Sequence, residues 1–243
     1  IGSGDEVSDK ARREEFLQEY DEMNRFQKES PNTEFLIVGK DEWPFPVPIV
    51  RRGDSWIFDT KAGKDELLSR RIGRNELNVI EVMYSYADSQ REYIRKDHDS
   101  DGVLEFAQKF LSTDGKQDGL YWETKEGEEP SPLDSLVEQA MSEGYIPRKG
   151  SEGPKPFHGY YFRILTRQGK HAAGGRFDYV AKGNMILGFG LIAYPVKYGN
   201  SGIKTFIVNQ SGIVYEKDLG RDTEKKVKAI ARFDPDKTWT KVE

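Results

Sequence analysis

The sequence predicts an α+β fold with an N-terminal helix and a small antiparallel strand unit, one long central helix, and a C-terminal antiparallel β meander. Three observations predict it. Apolar residues recur at three-to-four-residue spacing in the stretches 10–28 and 75–96, which marks helices. A proline-rich extended run, WPFPVPIV, separates the two. From residue 158 onward, short β-rich runs alternate with Gly, Asn and Ser turns.

A chain of 243 residues fits one large or two small domains. Charged residues make up 33% and hydrophobic ones 36%, but 13 Phe, 12 Tyr and 4 Trp supply an aromatic-rich core and exclude general disorder. The net charge of -5 comes without any long basic stripe that could neutralise a phosphate backbone, so nucleic acid is not an expected partner. Without cysteine there can be no disulfide, thiolate metal site or cysteine nucleophile. No apolar run approaches the roughly 18 residues of a transmembrane helix, and the longest, MILGFGLIAY, has strand character.

Residues 10–28 read as a surface-packed helix with Phe16, Tyr20, Met23 and Phe26 on one stripe. Ser30-Pro31-Asn32 breaks it, and residues 34–38 read as a strand closed by Gly39-Lys40-Asp41. Pro44, Pro46 and Pro48 deny the backbone ladder donors, which places residues 44–50 at a sheet edge or in polyproline form. Arg52-Gly53-Asp54 turns the chain into a strand at 55–59. Residues 65–71 read as a short helix stopped by Gly73, and Asn75 as the N-cap of the main helix. In that helix Leu77, Ile80, Tyr84, Ala87 and Ile94 follow one face, and Val79, Val82, Met83, Tyr86 and Tyr93 a second, which predicts burial on both sides.

After an acidic loop, residues 104–111 are expected to make a further helical turn or two. The Gly-, Asp- and Glu-rich excursion that follows carries Tyr121-Trp122, the aromatic pair most expected to be exposed, and closes in a helix at 133–142 stopped by Gly144. Residues 148–156 read as a linker. The strands of the meander are expected at 158–166, 177–180, 185–195, 203–210 and 213–217, with Gly188 and Gly190 marking a bulge or a close backbone approach. A short charged helix from Asp222 and an exposed tail end the chain. The expected division is 10–73 for the N-terminal α+β unit, 74–220 for the long helix with its sheet and inserted loop, and 221–243 for the last helix and tail, all in one compact body.

The strings VGKDEWPFPVPIVRRGDSWIFDTKAGKDELLSRRIGRNEL, DHDSDGVLEFAQKFLSTDGKQDGLYW, GYYFRILTRQG and AYPVKYGNSGIKTFIVNQSGIVYEKDLG resemble the DUF2950 family of bacterial exported proteins, across residues 16–220. The resemblance implies an exported protein of the periplasm or cell envelope and implies no reaction. The layout from Asn75 onward, a long helix, an acidic loop and a meander, is also similar to pilin-like proteins. It departs from them because a whole α+β segment, not a processed hydrophobic terminus, precedes the helix.

Chemistry concentrates in Asp97-His98-Asp99-Ser100-Asp101-Gly102. Calcium takes six to eight oxygens, and carboxylates two residues apart on a curling loop converge on one ion while the glycine permits the sharp turn. Asp97, Asp99 and Asp101 are the candidate ligands, with the Val103 carbonyl and Glu105 completing the set. Gln108 stands at position twelve where an EF-hand carries a bidentate glutamate, so the loop is not an EF-hand. The competing reading is an Asp-rich turn at a helix end, with Arg91, Arg95 and Lys96 relieving the crowded charge.

His98, His158 and His171 lie in unrelated contexts, with neither a G-x-S-x-G elbow nor an H-E-x-x-H string. Tyr121 and Trp122 are the candidate ligand surface. The leading functional reading is a non-enzymatic binding or assembly scaffold with an unknown envelope protein or glycan as partner. The alternative is a periplasmic hydrolase acting on a cell-wall or glycan substrate through Asp or Glu.

Overall fold

The computed structural model describes residues 2–125, 127–145 and 155–242, so most of the expected linker at 148–156 lies outside the described residues. The fold is α+β. Helix α1 (Glu6–Glu22) precedes strands β1 (Asn24–Ser30), β2 (Thr33–Val38), β3 (Trp43–Pro44), β4 (Ile49–Arg52) and β5 (Ser55–Phe58). Helix α2 (Thr60–Tyr93) then crosses the molecule, and α3 (Asp134–Ser142) follows the acidic loop and the irregular excursion. The remainder comprises β6 (Tyr160–Leu165), β7 (Arg167–Gln168), β8 (Phe177–Asp178), β9 (Val180–Ala181), β10 (Asn184–Met185), β11 (Gly190–Pro195), β12 (Lys204–Asn209), β13 (Tyr215–Asp218), α4 (Thr223–Ala229) and β14 (Thr240–Lys241).

The N-terminal sheet has the order β1-β2-β4-β5, with β3 also on β2. The expected helix at 10–28 is half right. It stops at Glu22, where the Asn24 side chain bonds the Tyr20 carbonyl, and residues 24–28 pair with β2, Lys28 opposite Glu34. Sheet pairing overrides the local periodicity, and Phe26 stands exposed at 62% instead of extending a helical stripe. The prolines cut what would be one strand into β3 and β4, which share β2 end to end.

Helix α2 is one continuous element of 34 residues, about 51 Å at ~1.5 Å per residue, and residues 73 and 74 lie inside it. Gly73 does not stop it and Asn75 does not cap it. A glycine costs a helix interior only about 1 kcal/mol, and Asn75 uses its amide sideways, accepting from Arg12 at 2.8 Å and donating to the Ser201 carbonyl at 2.8 Å. The true cap is Asp59, which accepts the Ala62 amide. Burial falls on one face and not two. Val79, Met83, Tyr86, Ala87 and Tyr93 are buried, while Leu77 and Tyr84 are exposed at 65% and 41% because no layer covers their side.

The buried face of α2 packs on the five-stranded antiparallel sheet β14-β13-β12-β11-β6. Phe189, Leu191, Ala193, Phe206 and Val208 meet it in the main core. Gly188, at φ +145°, is the close approach expected from the sequence, since a Cβ there would stand 2.8 Å from Gln210 Oε1 and 2.9 Å from Tyr179. It parts β10 from β11, so the run at 185–195 is two strands. Within the expected exposed tail, β14 is exposed but paired with β13, and Trp239 packs on a second core that holds Ile192, Ile207 and Phe233; the expected helix from Asp222 ends at Ala229, short of Phe233.

Candidate metal centre

Tyr93 ends α2 and the chain curls at once into the acidic loop. Its carboxylates organise their own backbone. Asp97 accepts the amides of Ser100 at 2.7 Å and Gly102 at 2.9 Å, and Asp101 accepts that of Val103 at 2.8 Å. Ser100 and Gly102 both have positive φ, 63° and 83°, which is how the loop turns so tightly. The result brings one ligand oxygen from each of Asp97, Asp99 and Asp101 to within 4.8 Å of the others, all exposed.

Basic side chains do not resolve this crowding. Arg91 bonds Asp88 and the Gln210 carbonyl, and Lys96 goes to Glu129. Among the described residues, none of the three aspartates makes an ion pair with a cationic side chain. Amide bonds, led by that from Gly102, hold the Asp97 carboxyl below its ordinary value. Glu105 moves the other way: burial raises its carboxyl, and the charges of Asp99 and Asp101 add to the effect.

The loop is also stitched to the sheet side of the molecule. Asp101 Oδ2 accepts the Asn184 side-chain amide at 2.7 Å, and Glu105 Oε2 accepts the Met185 amide at 3.1 Å. Glu105 therefore faces β10 and stands outside the aspartate triad, and Gln108 reaches the Gly183 carbonyl at 2.7 Å. The following segment is extended, correcting the helical turn expected at 104–111: Phe106 bridges Met185 and Leu111 bridges Tyr121. Gln90, fully buried in α2, fixes it there by accepting the Ala107 amide at 2.9 Å and donating to the Ala107 carbonyl at 2.8 Å. Asn184, Met185 and Gln90 had no signature in the sequence, because their partners are 83, 80 and 17 residues away.

Beside the loop the His98 ring stacks on Tyr93, with centroids 4.0 Å apart, and Trp122 stands 5.4 Å from His98. Tyr121 and Trp122 are half-buried against the main core and not held out in solvent, because the Ser112 amide donates to the Tyr121 carbonyl and the Tyr121 amide to the Phe110 carbonyl, bonds that fold the excursion back. His171 meets Asp234 at the surface. His158 is packed with Tyr145, Asn78 and Glu143; its imidazole is lowered by burial, against the pull of Glu143. Two other carboxylates, the buried Asp5 and the half-buried Glu76, hold the fold: Asp5 accepts Tyr145 Oη and the amides of Ser8 and Gly159, and Glu76 accepts the amides of Ile203 and Lys204.

No curated protein and no solved structure matches this chain. A family model described as a protein of unknown function (DUF2950) matches residues 1–242.

Proposed function

The chain belongs to the DUF2950 family of proteins of unknown function, and from that premise we propose a non-enzymatic binding or assembly scaffold of the bacterial cell envelope whose acidic loop takes a calcium ion. The envelope location rests on the resemblance to exported proteins. It is compatible with the absence, among the described residues, of any helix long and apolar enough to cross a membrane.

One observation carries the calcium reading: three aspartate oxygens converge within 4.8 Å with no cationic side chain among the described residues to neutralise them. Calcium is the hard, oxygen-seeking ion such a set suits, and solvent supplies the remaining ligands at an exposed loop. The Val103 carbonyl is the nearest backbone candidate, while Glu105 contributes only if it leaves the Met185 amide. Because Asp101 also bonds Asn184, an ion there would tie the C-terminal end of α2 to β10. Its role would be structural, with Tyr121 and Trp122 alongside as the surface on which an envelope glycan or protein docks.

The test is thermal melting of chelator-treated protein with calcium added back. Extracellular calcium modules bind at about 0.1–1 mM. At about 100 times the dissociation constant, binding stabilises by about 2.7 kcal/mol, or roughly 5–10 °C in a chain of this size. Asp99→Asn keeps the bond of that side chain to the Asp101 amide but removes one ligand charge, and should reduce the shift. Unchanged melting of the wild-type protein at about 100 mM calcium, ~100 times the weaker end of that range, rejects the site.

A further inference from the structure

We propose that the open edge of the N-terminal sheet, strand β5, joins two copies of this chain into a two-fold dimer through a continuous antiparallel sheet. The sheet has two edges, and they are built differently. At one, β1 carries Arg25, Lys28 and Glu29, the charges by which an edge refuses another strand. At the other, β5 reads Ser-Trp-Ile-Phe without a charge, and Trp56, Ile57 and Phe58 are exposed at 42%, 40% and 50%. An exposed apolar edge without a charge is a template for strand addition.

The backbone decides what can be added. The Asp59 amide donates to the Pro48 carbonyl across the ladder with β4, so by alternation Ser55 and Ile57 point their backbone groups inward while Trp56 and Phe58 point theirs outward. Helix α2 does not cover them. It turns inward, where Gly63 lies against Val47 and Arg70 bonds the Pro44 carbonyl and stacks on Trp43 at 4.5 Å.

A second copy running antiparallel satisfies these groups in one register. Trp56 faces the partner's Phe58, each exchanging both backbone bonds, and Ile57 meets its own copy on the two-fold axis. The charges agree with this register. Arg52 is paired with Ser55 in the β4–β5 ladder, and the next residue in that row is the partner's Asp59. It is about 10 Å from Arg52 at two strand spacings, and the small serine lets the guanidinium reach across. A shift by two residues in either direction sets Asp59 against Ile57 or Asp54 against Phe58, burying a carboxylate against an apolar side chain. Self-pairing is thus complementary in hydrogen bonds, apolar surface and charge.

The proposal stands at the far end of α2 from the acidic loop and does not rest on calcium. Its test uses the full chain. Light scattering after size exclusion should give twice the 27.8 kDa monomer mass at tens of micromolar. The chain has no cysteine, so Ile57→Cys introduces a single thiol. Across the axis it forms a non-hydrogen-bonded pair with Cα atoms about 4.5 Å apart, within disulfide range. That variant should oxidise to a covalent dimer and Gln27→Cys on the β1 edge should not. Ile57→Lys should be monomeric with unchanged circular dichroism, and its melting should lose the concentration dependence that association gives the wild-type chain. A monomeric wild-type chain, including one whose β5 accepts a strand from a different protein, overturns the proposal. So does a dimer that survives Ile57→Lys or cross-links equally through Gln27→Cys.

Discussion

Replacing Gln90 by leucine should cost this protein more stability than any exposed substitution, through a pair of backbone groups 17 residues away. Gln90 is fully buried, and its amide satisfies both the N–H and the C=O of Ala107, itself only 2% exposed, while also donating to the Tyr86 hydroxyl at 3.0 Å. Leucine fills nearly the same space, so little cavity is left. What remains is two buried, unpaired backbone groups at about 1–3 kcal/mol each. The expected loss is about 4 kcal/mol, or on the order of 8–16 °C in melting temperature for a chain of this length. Urea unfolding followed by far-ultraviolet circular dichroism measures it, and amide exchange should show the Ala107 proton losing its protection. A loss below about 1 kcal/mol would mean that water or a shifted backbone replaces those bonds, and that Gln90 does not anchor the segment after the loop.

Two helix glycines should respond with opposite signs. A methyl group added at Gly73 would meet nothing within 4 Å, so Gly73→Ala should stabilise by about 0.5–1 kcal/mol, whereas Gly63→Ala meets the Val47 Cα at 2.7 Å and should destabilise despite the same gain in helix propensity. Paired urea titrations of the two variants check this. Because burial raises the Glu105 carboxyl, the fold holds its proton more tightly than the unfolded chain does. Its contribution is therefore full below the ordinary value of 4.5 and is lost as pH rises through the raised one. In ion-free protein Glu105→Gln should remove that decline, read as melting temperature against pH. Asp118 is the reverse case: partial burial would raise it, but bonds from Lys109 and Thr113 prevail and hold it at about 2. The stability it gives is present above 3.8 and lost as pH falls towards about 2, a loss that Asp118→Asn should flatten.

The parts of the fold written in short-range patterns were legible in the sequence. The meander strands announce themselves by β-rich runs and glycine turns, as at Gly212, whose amide bonds the Asn209 carbonyl at 2.8 Å. The aspartate triad is likewise local, and spacing by two was enough to predict its convergence. What failed was set by distant partners. Asn75 looked like a cap because its bonds to Arg12 and Ser201 span 63 and 126 residues. Residues 24–28 looked helical because their periodicity says nothing of β2. Leu77 and Tyr84 looked buried because an apolar stripe is visible in sequence, whereas the absence of a layer above it is not. The same holds at the candidate site: Asp101 and Glu105 could be named from their spacing, but not their bonds to Asn184 and Met185.

Isothermal titration of calcium into chelator-treated protein tests the calcium reading most directly. One ion per chain is predicted, with magnesium a poor competitor because it demands a tighter octahedral shell, and with binding weakened in Asp99→Asn, which loses one ligand charge, while its circular dichroism stays that of the wild type. Absence of binding heat in the wild-type protein up to millimolar calcium, or undiminished binding in Asp99→Asn, would contradict it and leave the three aspartates as a turn that caps the end of α2.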